Sequence, residues 1–187
     1  MSLHGAALDA LTSWVPPDHD QAALREEYVA HLRAHADACT KACAPAHLTA
    51  GTLVLDEDGA RVLLNLHRKA GRWFAFGGHL EASDASLAAA ALREATEESG
   101  IDGLAVDPVP VHLSKHAVDF CLLEPGQPRG TVWHHDVRHV AVVPEGTRPA
   151  ISDESLDVRW FDVDDLPTDE ADMLDLIRLA RARVTRR

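Results

Sequence analysis

The stretch that most constrains the fold is "SLAAAALREATEESG", Ser86 to Gly100. Its second half sets Glu94, Glu97 and Glu98 at i, i+3 and i+4, so the three carboxylates point to one side of a helix. Like charges at that spacing destabilise a helix by about 0.2–0.5 kcal/mol per pair. A divalent cation is the usual compensation. The first half, Ser86 to Ala91, is a run of small residues that lets the same helix lie close to a sheet. One short segment therefore asks for a sheet on one flank and a positive partner on another. Gly100 is well placed to stop the helix.

The surrounding pattern supplies the sheet. "HLTAGTLVLD" from His47 reads as a strand, "DEDG" (Asp56 to Gly59) as a turn, and "RVLLNLH" as the returning strand. "RKAGR" turns again into "WFAF", and Gly77–Gly78 opens a loop. The helix follows from about Asp84 to Ser99. Apolar runs then come around Val109 to Leu113, Ala117 to Leu123 and Val137 to Val143, with "EPGQPRG" as a loop between two of them. "LDVRWFDV" is a last strand. A closing helix carries Met173, Leu176, Ile177 and Ala180 on one face. Upstream, Pro16 and Pro17 break the chain, and Asp18 or Asp20 then caps a helix with Leu24, Tyr28 and Leu32 along one stripe. This order argues an α+β or α/β/α layer fold with a mixed sheet.

Length and charge narrow the function classes. The 187 residues fit one domain with an extra element at one end. A net charge of −12 disfavours a nucleic-acid polymer, whose backbone needs clustered Lys and Arg. It leaves room for a small phosphorylated substrate if a metal lies between the charges. Cys39, Cys43 and Cys121 make no disulfide framework and suit a reducing cytosol. The first residues have no basic segment followed by an apolar core, so neither a signal peptide nor a membrane anchor is expected. The expected setting is cytoplasmic.

Gly78 to Ile101 reads "GHLEASDASLAAAALREATEESGI". It resembles the signature of the Nudix (MutT-like) hydrolases: Gly, five residues, Glu, seven residues, then Arg-Glu-apolar-any-Glu-Glu-any-Gly-apolar. Arg93, Glu94, Ala95, Glu97, Glu98, Gly100 and Ile101 match every fixed position of the second half. The first half departs twice. Asp84 stands in place of the first Glu, and eight residues rather than seven separate it from Arg93. A longer loop or a helix bulge is needed to take up the extra residue. The likeness runs from about Leu48 to Val184 and includes the "RWFDVDDLP" strand and turn.

This resemblance implies a Nudix-type α/β/α sandwich with a mixed sheet and an added N-terminal helix. Residues 1–46 would form the helical extension and residues 47–187 the Nudix domain. The implied activity is metal-dependent hydrolysis of a diphosphate linkage in a nucleoside diphosphate-linked or related small molecule. Mg²⁺ or Mn²⁺ would be held by Glu94, Glu97, Glu98 and the Gly78 carbonyl, since hard cations prefer oxygen ligands. Glu94 or a metal-bound hydroxide would be the base. Arg93 would join loop and helix through a salt bridge.

Further candidates surround that core. Lys69, Arg72 and Trp73 flank the strand entering the loop: a cation there can hold phosphate, and Trp73 can stack on a base or pack in the core. Trp133 and Trp160 are expected in the core. Glu81 lies in the Gly-rich loop, and Glu154 is either an extra ligand or a surface carboxylate. His47 and His79 occupy places similar to two metal-binding histidines of isopentenyl-diphosphate isomerase, a fold relative. They read either as a second metal or phosphate site or as ordinary hydrogen-bonded histidines. The isomerase's cysteine corresponds to Gly77, so its thiol is missing. A non-catalytic, ligand-sensing Nudix domain is the other alternative, and the intact "REATEESG" run argues against it. His116, Cys121, His134 and His135 are spaced too loosely to argue for zinc. His31, His35, Cys39 and Cys43 form a row if their helix continues that far. The N-terminal helix and the strand edges offer surfaces for a homodimer.

Overall fold

The computed structural model describes residues 2–118, 131–151 and 155–185. Its centre is β1 (Ala46–Asp56), an eleven-residue strand buried along its whole length. Such a strand must find partners for its backbone on both sides. It finds them in three strands. β2 (Arg61–His67) and β4 (Phe76–His79) pair with it antiparallel, and β6 (Val132–Val143) pairs with it in parallel. β3 (Arg72–Phe74) and β7 (Ser155–Asp162) both pair with β2, and β5 (His112–Val118) lies outside β6. The result is one mixed seven-stranded sheet.

Alternation along β1 divides the core between two helical layers. Leu48 and Ala50 face α1 (Leu3–Ser13), α2 (His19–Ala34) and α3 (Leu87–Ser99), packing with Leu11, Tyr28, Leu32, Leu87 and Ala91. Leu53 and Leu55 face α4 (Ala171–Val184), packing with Met173, Leu176, Ile177 and Ala180. This is the α/β/α sandwich that the sequence implied. Among the described residues no helix is long and apolar enough to cross a membrane.

Several boundaries differ from the sequence reading. The N-terminal region holds two helices, not one. α2 starts on Asp18, whose side chain accepts from Gln21 N–H, and it ends at Ala34. The row of His31, His35, Cys39 and Cys43 is therefore not a helical stripe, because the chain turns over residues 36–42 on its way into β1. Gly77 and Gly78 belong to β4 rather than a loop, since β1 needs their backbone as a partner. α3 begins at Leu87, capped by the Ser86 hydroxyl, and ends on Gly100 in the left-handed conformation at φ 64°. The extra residue of the signature is taken up in the loop before Ser86, and the helix runs without a bulge. Trp133 is not a core residue: it is 40% exposed, with Lys115 Nζ 4.9 Å above its ring. Trp160 is partly buried and donates from Nε1 to the Thr147 carbonyl at 3.1 Å. Cys121, "EPGQPRG" and Glu154 lie outside the described residues.

α2 lies along the outer edge of β5. The buried Gln21 side chain donates from Nε2 to the Leu113 carbonyl at 3.0 Å, and its Oε1 accepts from Leu113 N–H at 2.6 Å. Tyr28, fully buried, donates its hydroxyl to the Ser114 carbonyl. One amide thus stands where a neighbouring strand would be. Gln21→Ala strands a buried N–H and a buried C=O, and each such group costs about 1–3 kcal/mol. Urea denaturation should show a loss in at least that range. A change within about 0.5 kcal/mol would show that the edge is satisfied without Gln21.

Candidate active site

α3 carries its carboxylates beside β4. Glu98 is 5% exposed, its Oε2 accepts from Gly77 N–H at 3.0 Å, and its Oε1 accepts from Asn65 Nδ2 at 3.3 Å. Glu94 presses on Gly78 so closely that a Cβ there would sit 2.7 Å from its carboxylate. A side chain at that position would have to push the Glu94 carboxylate aside. The side chain of Glu97 is 60% exposed. The three thus share one side of the helix but form a gradient from buried to open.

Arg93 ties this helix to the strand and loop before it. Its Nε and Nη2 each donate to Asp84, both at 3.1 Å, a bidentate pair. Nη2 also donates to the His79 carbonyl at 3.0 Å, and Nη1 to Glu94 at 2.9 Å and Glu97 at 3.3 Å. Asp84 in turn accepts from Glu81 N–H at 2.8 Å, which folds the loop. The Glu81 carboxylate stands at the rim, 3.8 Å from Arg93 Nη1. Despite the altered spacing, Asp84 is the main anchor of Arg93.

The donors on this side of α3 are oxygens, the type a hard divalent cation prefers. Glu94, Glu97, Glu98 and the backbone of Gly78 offer oxygen, and Asn65 Oδ1 lies buried beside Glu98 without a hydrogen-bond partner among the described residues. Of the expected phosphate-binding residues, Lys69 is exposed on the β2–β3 turn. Arg72 pairs with Glu170. Trp73 packs edge-on against Phe161, with a ring-centroid distance of 4.8 Å, and beneath Arg159. Trp73 belongs to the apolar cluster under α4, so its surroundings are those of a packing residue.

The opposite face of the same strands is lined with histidines. Gly78 faces α3, so its neighbour His79 faces away. Register places His47 beside His134, and Thr49 beside both His79 and Asp136. Their imidazoles cluster: His47, His79 and His134 have ring centroids 4.9–5.1 Å apart, and His116 lies 5.3 Å from His134. Farther along this face Arg138 is clamped between Asp136 at 2.7 Å and Asp172 at 2.6 Å. Sequence reasoning missed this group, although an arginine inside the apolar run "VRHVAVV" was a signal. His135 points to the other face and stacks on Tyr28 at 4.4 Å. Gly77 has no room for the isomerase's cysteine: a Cβ there would meet the Ala50 carbonyl and Gly51 Cα at 2.8 Å, both backbone atoms.

A mixed sheet between helical layers, with a glycine strand against a glutamate-bearing helix, defines the class of protein. The NUDIX domain profile matches residues 45–180. Solved structures share the fold. An Ap4A hydrolase of C. elegans, in a binary complex, is 18% identical with TM-score 0.57, covering 75% of this chain and 98% of its own. The dihydroneopterin triphosphate pyrophosphohydrolase of E. coli is 16% identical with TM-score 0.55, covering 71% and 94%. The NUDIX domain of Shewanella oneidensis NrtR, complexed with ADP ribose, is 24% identical with TM-score 0.53, covering 78% and 92%. No curated protein matches. The chain belongs to the Nudix family.

The buried histidines also set a pH dependence. His112 lies next to Arg138, with Asp175 at 3.6 Å and Asp172 at 3.9 Å. Burial comes first and Arg138 second in lowering its pKa to about 4, against the opposing pull of Asp172, Asp175 and Asp136. An unfolded histidine titrates near 6.5, so below that pH the unfolded chain takes up a proton the folded one refuses. Stability from this group is complete above about pH 6.5 and is lost as pH falls toward 4. Thermal melts should fall across that window. His112→Phe should flatten the slope by up to about 1.4 kcal/mol per pH unit. Identical slopes in the two proteins would assign the acid sensitivity elsewhere.

Proposed function

We propose that the protein hydrolyses a diphosphate linkage in a nucleoside diphosphate-linked or related small molecule, using Mg²⁺ or Mn²⁺ held by Glu94, Glu97, Glu98 and the Gly78 carbonyl. The observation that carries this reading is the contact between the glycine strand and α3, where Glu94 lies against Gly78 and Glu98 accepts from Gly77 N–H. When bound, the ion supplies charge neutralisation on phosphate oxygens and a more acidic water.

The chain's own residues divide the remaining work. Arg93 holds β4, the loop and α3 in one register through Asp84 and the His79 carbonyl. It is a positioning residue. Gly77 N–H and Asn65 fix the Glu98 carboxylate, so its orientation is set before substrate arrives. Glu94 pairs with Arg93 at 2.9 Å and presses on Gly78, and in this reading it accepts the proton of the attacking water. Glu97, at the open end, is the carboxylate most accessible to an entering ligand. The solved relatives support a nucleotide-like substrate: Ap4A hydrolase and dihydroneopterin triphosphate pyrophosphohydrolase are named for phosphate anhydrides, and the NrtR domain was captured with ADP ribose.

The test is phosphate or nucleotide release from nucleoside triphosphates, dinucleoside polyphosphates, nucleotide sugars, NADH and ADP-ribose with Mg²⁺ or Mn²⁺. Glu97→Gln suits this test because its side chain is open and its loss should leave the melting temperature unchanged. It should lower kcat/KM by about 10²-fold. Turnover unchanged in that variant, or present at full rate in chelator, would refute the metal-carboxylate reading. Silence across the panel, with Mg²⁺ or Mn²⁺ shown to bind, would move weight to a ligand-sensing role.

A further inference from the structure

We propose that His47, His79 and His134 form a binding site for a divalent transition-metal ion, zinc foremost, on the face of the sheet opposite the α3 carboxylates. Each contributes one ring nitrogen, and the three nitrogens lie within 4.8 Å of one another. Tetrahedral zinc with bonds of about 2.0–2.1 Å sets nitrogens about 3.3 Å apart, a separation reached by turning the rings.

Three further observations support the site. His47 Nδ1 donates to the Cys43 carbonyl at 3.1 Å, which places the proton on Nδ1 and the lone pair on Nε2. A ligating histidine is commonly oriented by such a bond to a backbone carbonyl. His134 Nε2 is buried with no hydrogen-bond partner among the described residues, a cost that a metal bond removes. The three come from strands whose pairing fixes their relative positions: His47 and His134 are register partners in the parallel ladder, and His79 stands one pair along on β4.

Imidazole nitrogen separates this site chemically from the α3 site. Mg²⁺ prefers oxygen, whereas zinc, cobalt and nickel accept imidazole readily. Three protein ligands leave a fourth position for water or an anion. His35, Asp37 and Cys43 also converge, but burial and Asp37 raise the Cys43 thiol to about 11, so that group starts protonated.

Tag-free full-length protein, stripped with chelator and dialysed against zinc, should retain about one ion per chain by elemental analysis. Cobalt should give the strong visible absorption of a tetrahedral site. His79→Gln and His134→Gln should each weaken zinc at least about tenfold and remove the cobalt spectrum. Glu97→Gln and Cys43→Ala should leave both readouts intact, which separates this site from the carboxylate site and from the Cys43 group. Circular dichroism shows whether each variant is folded, and His79 and His134, both only partly buried, back each other up. The proposal is overturned if the wild type holds less than about a tenth of an equivalent. It is equally overturned if folded His79→Gln keeps the zinc, or if Cys43→Ala alone removes it.

Discussion

The rest of the structure depends on the satisfaction of β1. A strand buried from Ala46 to Asp56 cannot leave backbone groups to water, so β2, β4 and β6 must meet it in fixed register. That requirement turns Gly77 and Gly78 into strand, brings α3 within reach of them, and sets His134 beside His47. Both faces of the functional region are consequences of one unbroken ladder. Arg93 then adds a lock specific to the carboxylate face.

What the sequence made legible was local. The face of Glu94, Glu97 and Glu98, the stop at Gly100 and the apolar stripe of α4 follow from spacing within one helix, where 3.6-residue periodicity suffices. The Arg93 bridge came from the family resemblance, and the structure supplies its partner, Asp84. What spacing could not reveal depended on distant chain segments. The sequence pattern begins α3 at about Asp84, but that carboxylate is engaged by Arg93 and by the loop, and the helix starts after Ser86, which caps it. His47 and His79 stood out in the sequence, whereas His134 joined them only through the parallel pairing of β1 with β6. Nothing between His35 and Pro45 marks the end of α2, and the turn into β1 decided it.

The two faces divide polar chemistry by donor type. Oxygen donors gather under α3, and nitrogen donors gather on the opposite face with the Asp136–Arg138–Asp172 clamp farther along it. A sheet one residue thick separates them, because successive side chains of a strand point opposite ways. Gly78 and His79 are chain neighbours that serve different faces for this reason.

The edge of β5 has a further consequence. An exposed strand edge is a template on which a second sheet can grow, and proteins commonly protect such edges with charge, bulges or a covering element. Here the amide of Gln21 occupies the Leu113 backbone, and the Tyr28 hydroxyl occupies that of Ser114. α2 therefore acts as a molecular stopper at Leu113 and Ser114. Strand addition at Leu113 is thereby blocked by a side chain of α2.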